Sequence, residues 1–270
     1  FHERPASPLG WWSDAPDVLG GRDLRAGGTW LAFARSGRFG LVTNFRDANG
    51  APPGAPSRGE LVPAYLRGTQ PAAGFLSGLL PGIRAYAGFN LLLGDARGLH
   101  YCCNVGDEGP RELPPGIYGL SNHRLDEPWP KLVRTRERFT AALAQADPTP
   151  ADLFDLLADS TPSAYESPPD RGLPPDLERA LSAPFVRHER YGTRCSTVAL
   201  VEHGGLTSVH ERRFEGVHIV DPLANERALL EEVLVHVGDG ACVRVDAWLA
   251  PVQSRVPRPT RPWQIDCHAW

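Results

Sequence analysis

At 270 residues, with 41% hydrophobic and 22% charged side chains, the chain holds enough apolar material for one substantial core and has the composition of a soluble globular protein. A net charge of -4 without a basic stripe excludes a phosphate-tracking nucleic-acid surface, and no apolar run approaches the roughly 18 residues of a membrane span. Methionine is absent and Lys131 is the only lysine, which predicts a natural start upstream of Phe1 and a GC-rich bacterial genome.

The first thirty residues are rich in Gly, Pro and Trp and read as irregular structure anchored by Trp11 and Trp12. From Thr29 the pattern changes. Trp30 to Arg35 and Arg38 to Asn44, split by Ser36-Gly37, predict a β-hairpin. Ser57-Arg58-Gly59-Glu60 has capping-box spacing and predicts a helix through Leu66. A second hairpin is expected over Phe89 to Gly94 and Leu99 to Asn104, then a short buried strand over Ile117 to Leu120. Asp126 is placed to cap a helix from about Trp129 to Gln145, whose apolar face carries Leu132, Phe139 and Leu143. Thr149-Pro150 opens another helix through Leu157, since Pro fits a first turn whose N–H is unbonded anyway.

Residues 160–185 are Pro- and Asp-rich and read as a loop or lid with a short helix over Pro175 to Leu181. A third hairpin is predicted over Thr197 to His203 and Leu206 to Arg213. Hairpins interleaved with helices, without strict βαβ alternation, indicate an α+β fold with antiparallel sheets. Residues 1–216 form the main domain; residues 217–270 are an extension, with a helix over about 222–237 and a weakly ordered tail.

Five cysteines without a Cys-x-x-Cys pair give neither a disulfide framework nor a zinc site, and free thiols place the protein in the cytoplasm. Cys102 and Cys103 alternate along a strand and point to opposite faces. His203 and His210 flank one hairpin, but no carboxylate spacing completes a metal site; no metal or cofactor is expected, and no signal peptide is visible at Phe1. Without a Gly-x-Ser-x-Gly elbow no Ser-His-Asp triad is nominated.

Gly20-Gly21-Arg22-Asp23-Leu24 followed by Gly27-Gly28-Thr29-Trp30 resembles the GRD…GGTW signature of the NRDE family, also called the transport-and-Golgi-organisation-2 family. Five further segments resemble family elements in order: Leu41 to Arg46, Ser57-Arg58-Gly59, Phe89-Asn90-Leu91, Tyr118 to Asn122 with Trp129-Pro130-Lys131, and Tyr191 to Thr197, which departs at Cys195. Family members begin with Met-Cys, an apolar strand and the Asn-Arg-Asp-Glu run, so the resemblance implies that the first strand precedes Phe1.

The same resemblance implies an N-terminal-nucleophile (Ntn) αββα sandwich with mainly antiparallel sheets. In that architecture an N-terminal Cys is both nucleophile and base, because a free α-amino group with a pKa near 8 can take the thiol proton. The implied reaction is hydrolysis of a non-peptide amide, with residues 1–270 inactive alone. By motif position Asn44 and Asn122 are the amide donors to an oxyanion and Arg194 the orienting cation; Asn90, Arg46 and Arg58 contact substrate; Asp23 and Trp30 are structural. The rival role is a non-enzymatic carrier of a hydrophobic ligand such as haem or an acyl conjugate. Either way the partner is a small molecule, an amide or a hydrophobic ligand, and the oligomeric state is open. Read from the residues alone, Asn44, Asn90 and Asn122 are also what strand-end turns select, and Arg194 also suits a buried ion pair.

Overall fold

The computed structural model describes residues 2–46, 50–145, 148–163, 173–201 and 206–215, with the short segments 218–219, 235–236, 247–248 and 263–268. Seven antiparallel strands pair in chain order: β1 (Ala6–Trp12), β2 (Ala15–Asp23), β3 (Leu31–Ala34), β4 (Phe39–Asn44), β5 (Phe89–Asp95), β6 (Gly98–Cys103) and β7 (Arg111–Leu113). The β3–β4 and β5–β6 hairpins lie where the Gly turns predict them, with Gly37 at φ 81° and Gly98 at φ 146°.

The opening segment corrects the expectation of irregular structure. It forms the β1–β2 hairpin, because β1 is an edge strand of the described sheet where Pro8 removes no ladder bond, and the register shifts between Ser7 and Gly10 and again between Trp11 and Trp12. Gly20 and Gly21 are packing devices within a strand. A Cβ on Gly20 would lie 2.7 Å from the Ala32 Cβ, and one on Gly21 would lie 2.4 Å from the Trp30 ring.

Between β4 and β5 the chain crosses one face of this sheet as α1 (Leu61–Arg67) and α2 (Ala72–Leu79). The expected Ser57 capping box does not form. Residues Arg58–Glu60 make a single 3-10 turn in which the Glu60 amide donates to the Ser57 carbonyl at 3.2 Å, so that amide already has a backbone partner. The first amide of α2 is met by Asp95 Oδ2 at 2.7 Å, a cap 23 residues distant that local spacing cannot reveal.

After the short strand β8 (Gly119–Leu120) come α3 (Pro130–Gln145), α4 (Pro150–Leu157) and α5 (Pro175–Leu181). Thr149 and Asp152 close a capping box at α4. Asp126 does not cap α3. At φ 61° it instead accepts from the Gly119 amide at 2.7 Å and binds the loop after β8 to that strand.

The second sheet is built on β9 (Cys195–Val201) and β10 (Leu206–Glu215), paired antiparallel from Cys195↔Arg213 to Val201↔Thr207. Around them lie β11 (His218–Ile219), β12 (Val235–His236) on β10 and β14 (Trp263–His268) on β9, while β13 (Ala247–Trp248) pairs with β8. The helix expected over about 222–237 falls outside the described residues except at Val235–His236, which pair as a strand. His203 also lies outside them.

Three apolar clusters stack these elements into four layers. One joins Val18, Val42, Leu91 and Leu93 to Val62, Leu66 and Leu76 of α1 and α2. A second joins Leu19, Phe33, Leu41 and Leu92 of the first sheet to Ala199 and Val209 of the second. The third packs Val198 and Leu200 against Leu132, Phe139, Leu153 and Leu157 of α3 and α4. Alternation on β9 explains the split: residues 198 and 200 face helices while 199 faces the other sheet. The fold is α+β, in the layer order α/β/β/α. No helix among the described residues is long and apolar enough to cross a membrane.

Candidate functional site

The loop after β8 closes over the end of β4. Asn122 Nδ2 donates to the Asn44 carbonyl at 3.1 Å, and the Asn122 carbonyl accepts from the Arg46 amide at 2.8 Å. Two predicted residues, Asn44 and Asn122, are thus brought together, with the backbone of Arg46 as a third member. The contact differs from the expected pair of amide donors, because Asn44 offers a carbonyl. By strand alternation its side chain shares the helix-covered face with Val42, opposite Thr43. Asn122 is 4% exposed, and among the described residues its side chain donates only to Asn44. Its second N–H is left over.

The neighbours of Asn122 carry orphaned atoms. Ser121 Oγ and His123 Nδ1 are buried and lack hydrogen-bond partners among the described residues. His123 stacks on Phe45 with ring centroids 4.7 Å apart and lies 6.1 Å from Trp129; its Nδ1 is 3.4 Å from Glu127 without hydrogen-bond geometry. Native proteins leave few buried polar atoms unpaired, so two on either side of one half-committed amide mark a place where a ligand or water belongs.

Asn90 lies beneath this loop and is fully buried, with 0% exposure. Its Nδ2 donates to Thr43 Oγ1 at 3.1 Å and to the His123 carbonyl at 2.9 Å, while its Oδ1 accepts from the Tyr101 hydroxyl at 2.7 Å. Thr43 Oγ1 in turn donates to the Ser121 carbonyl at 3.4 Å. These contacts hold the 121–123 loop against β4 and β5. Tyr101 escaped sequence reasoning because a tyrosine inside an apolar strand carries no signal of what its hydroxyl meets.

Arg194 belongs to a second constellation, at the start of the chain. Its Nη1 donates to the carbonyls of His2 and Arg4, both at 2.9 Å. It lines a cleft with Ser7, Trp30, Cys195, Glu211 and Arg213. Burial pushes the Glu211 carboxyl up, opposed by hydrogen bonds from the Leu9 amide (2.9 Å), Cys195 and Thr197 (3.4 Å) and by the charge of Arg213. Cys195 is therefore a buried thiol facing Glu211 at the sheet interface. Arg4 bonds Asp23 through Nε at 2.9 Å and also through Nη2. Asp23 collects the amides of Arg25 and Ala26 at 3.0 and 3.3 Å as well, and Trp30 covers Gly21. Burial alone would raise the Asp23 pKa, yet Arg4 and the two amides outweigh it and hold it below the ordinary value.

Arg58 links the two constellations. Its Nη1 donates at 2.8 Å to the Gly88 carbonyl, which also accepts from the Phe45 amide at 2.8 Å, next to Asn44. Among the described residues no group of three or more His, Cys, Asp or Glu side chains could hold a metal ion. Cys102, Cys103 and Cys195 are buried. Burial pushes the Cys102 thiol up to about 11 and raises Cys103 as well, the wrong direction for a nucleophile.

Residues 1–216 match the family model described as Transport and Golgi organisation 2. The mouse protein named Transport and Golgi organization 2 homolog is 33% identical over 229 residues, covering 78% of this chain and 82% of the relative. The bovine and human proteins named Transport and Golgi organization protein 2 homolog are 33% and 32% identical, covering 80% and 78% of this chain and 84% and 82% of their own lengths. With its motifs in order and its four layers in place, this chain belongs to the Transport and Golgi organisation 2 family.

Proposed function

We propose that the protein in its full-length form is an N-terminal-nucleophile amidohydrolase acting on a non-peptide C–N bond. The observation that carries this reading is the Ser121–Asn122–His123 segment, where a buried amide is anchored by one N–H and flanked by two orphaned polar atoms. Its remaining N–H is preorganised to receive a tetrahedral oxyanion, the kind of donor whose removal costs about 10² to 10³ in kcat. The nucleophile on this reading is a Cys exposed by Met removal upstream of Phe1, consistent with the raised thiols inside the sandwich. Residues 1–270 then bind substrate without turning it over. Free buried thiols fit a reducing cytoplasm, and the arginine-for-lysine bias fits a bacterial source.

The decisive measurement uses the protein expressed with its upstream reading frame, its mature N-terminus read by intact mass during exposure to a thiol-directed acylating probe. Acylation of an N-terminal Cys that slows about a hundredfold in Asn122→Ala supports the hydrolase. A blocked or unacylated N-terminus sinks it.

A second reading, a carrier of a hydrophobic ligand such as haem or an acyl conjugate, draws on the Phe45, His123 and Trp129 rings beside Asn122 and on the transport named in the family description. Haem titration followed by a shifted Soret band, lost in His123→Ala, favours this reading over the first.

A further inference from the structure

This inference rests on the proposed amidohydrolase site and names its substrate class. Arg58 is a half-buried guanidinium with one hydrogen bond, to the Gly88 carbonyl, and no carboxylate partner among the described residues. The charged group nearest in effect is a second cation, Arg4, which is itself bound to Asp23. Tight backbone contacts hold the two together. The Thr29 amide donates to the Gly59 carbonyl at 3.0 Å, the Asp23 amide donates to the Gly28 carbonyl at 2.8 Å, and a Cβ on Gly28 would lie 2.4 Å from Gly59. The segment carrying Arg58 is therefore locked against the turn carrying Asp23, and the backbone there cannot relax to separate the cations.

Of these two guanidiniums Arg4 has a carboxylate, Asp23, and among the described residues Arg58 has none. A partly desolvated cation beside a like charge is unfavourable unless an anion arrives to neutralise it. Burial first, and Arg4 second, hold the Arg58 pKa below its ordinary value, in keeping with that deficit. The planar fork of Arg matches a carboxylate through two parallel N–H bonds.

We propose that Arg58, assisted by Arg4, receives a carboxylate of the substrate, so that the substrate class is an N-acyl amino acid or similar acyl conjugate whose acid group lies close to the scissile amide. The short distance along the chain of contacts supports the closeness. Gly88 accepts from both Arg58 and Phe45, and the Asn44 carbonyl anchors Asn122, so only the Gly88, Phe45 and Asn44 backbone separates the acid-binding fork from the oxyanion donor.

The test is isothermal titration of the protein with N-octanoylglycine and with its uncharged analogue N-octanoylglycinamide, with inorganic phosphate as a competing anion. The wild-type protein is expected to bind the acid at least about tenfold more tightly than the amide. Arg58→Gln erases that preference, and Arg58→Lys, which keeps the charge and loses the fork, retains part of it. Circular dichroism verifies that each variant is folded; should Arg58→Gln not fold, Arg58→Lys and the wild-type comparison carry the test. Equal affinity for the two probes, binding of neither, or a preference that survives Arg58→Gln overturns the proposal. Displacement of N-octanoylglycine by phosphate more strongly than by acetate reassigns the fork to phosphate and likewise overturns it. Binding is read here without turnover, so an intact acid preference beside an unacylated N-terminus removes the hydrolase reading alone.

Discussion

The two polar clusters that meet near Asn44 differ in how fully they are satisfied. Beneath the loop, Asn90, Tyr101 and Thr43 saturate one another: the Asn90 amide makes two donations, its oxygen accepts one, and all three residues are buried. At the rim, Arg4, Arg58 and Arg194 are half-exposed, two of them bonded to backbone carbonyls and, among the described residues, only Arg4 to a carboxylate. A saturated network in a low-dielectric interior rigidifies, and a break in it leaves buried groups unpaired. A partly engaged cation at the surface contributes little to stability and remains open to a ligand. The interior cluster therefore holds the 121–123 loop in place, and on the proposed reading the rim cluster is what meets the substrate.

Substitutions separate these roles by size of effect. Asn90→Leu is expected to be the most damaging, about 3 kcal/mol by urea unfolding, because it takes the acceptor from the Tyr101 hydroxyl and a donor from both Thr43 Oγ1 and the His123 carbonyl in the interior. A cost near zero would dissolve the contrast. Tyr101→Phe removes one member and leaves Asn90 Oδ1 unpaired, for about 1 to 2 kcal/mol by the same measurement.

Asp23→Asn acts at the rim and through pH. The native Asp23 pKa is depressed, so its contribution is present above the unfolded-state value and is lost as pH falls through the folded value. Acid titration of thermal stability should therefore converge for wild type and Asp23→Asn below the ordinary carboxylate range and diverge at neutral pH. A constant offset across the whole range would show that the carboxylate charge is not what Arg4 uses. Arg58→Gln should be smallest, within about 0.5 kcal/mol of wild type, since the lost bond to Gly88 is offset by relief from Arg4. A loss of 2 kcal/mol or more there would make Arg58 structural and align the rim with the interior.

Much of the architecture was legible in local pattern. The three hairpins, the helices at Pro130–Gln145, Pro150–Leu157 and Pro175–Leu181 and the α+β class follow from apolar periodicity, Gly turns and caps whose partners lie within four residues. Most of what local pattern misread has one cause, a partner distant along the chain; the Ser57 box is the local exception. The β1–β2 hairpin was hidden because Gly20, Gly21 and Pro8 look like turn residues until Trp30, Ala32 and a sheet edge surround them. The Ser57 box failed because a 3-10 turn took its amide, and α2 was missed because its cap is Asp95.

The site divides in the same way. Asn122 and Asn44 were expected at one site from motif position, while their strand ends alone suggested turn residues; which atoms of Asn44 face the loop is set by the pairing Asn44↔Phe89, a contact across 45 residues. Asn90 was read as a substrate residue from its motif, and only the packing of β5 against β4 and β6 encloses it. By itself, then, the sequence determined the class of fold, most of its elements and family membership, since these rest on periodicity and ordered motifs. Tertiary structure alone decided which polar groups are saturated and which are open, because hydrogen bonds and desolvation depend on atoms that only the closed four-layer sandwich brings within reach.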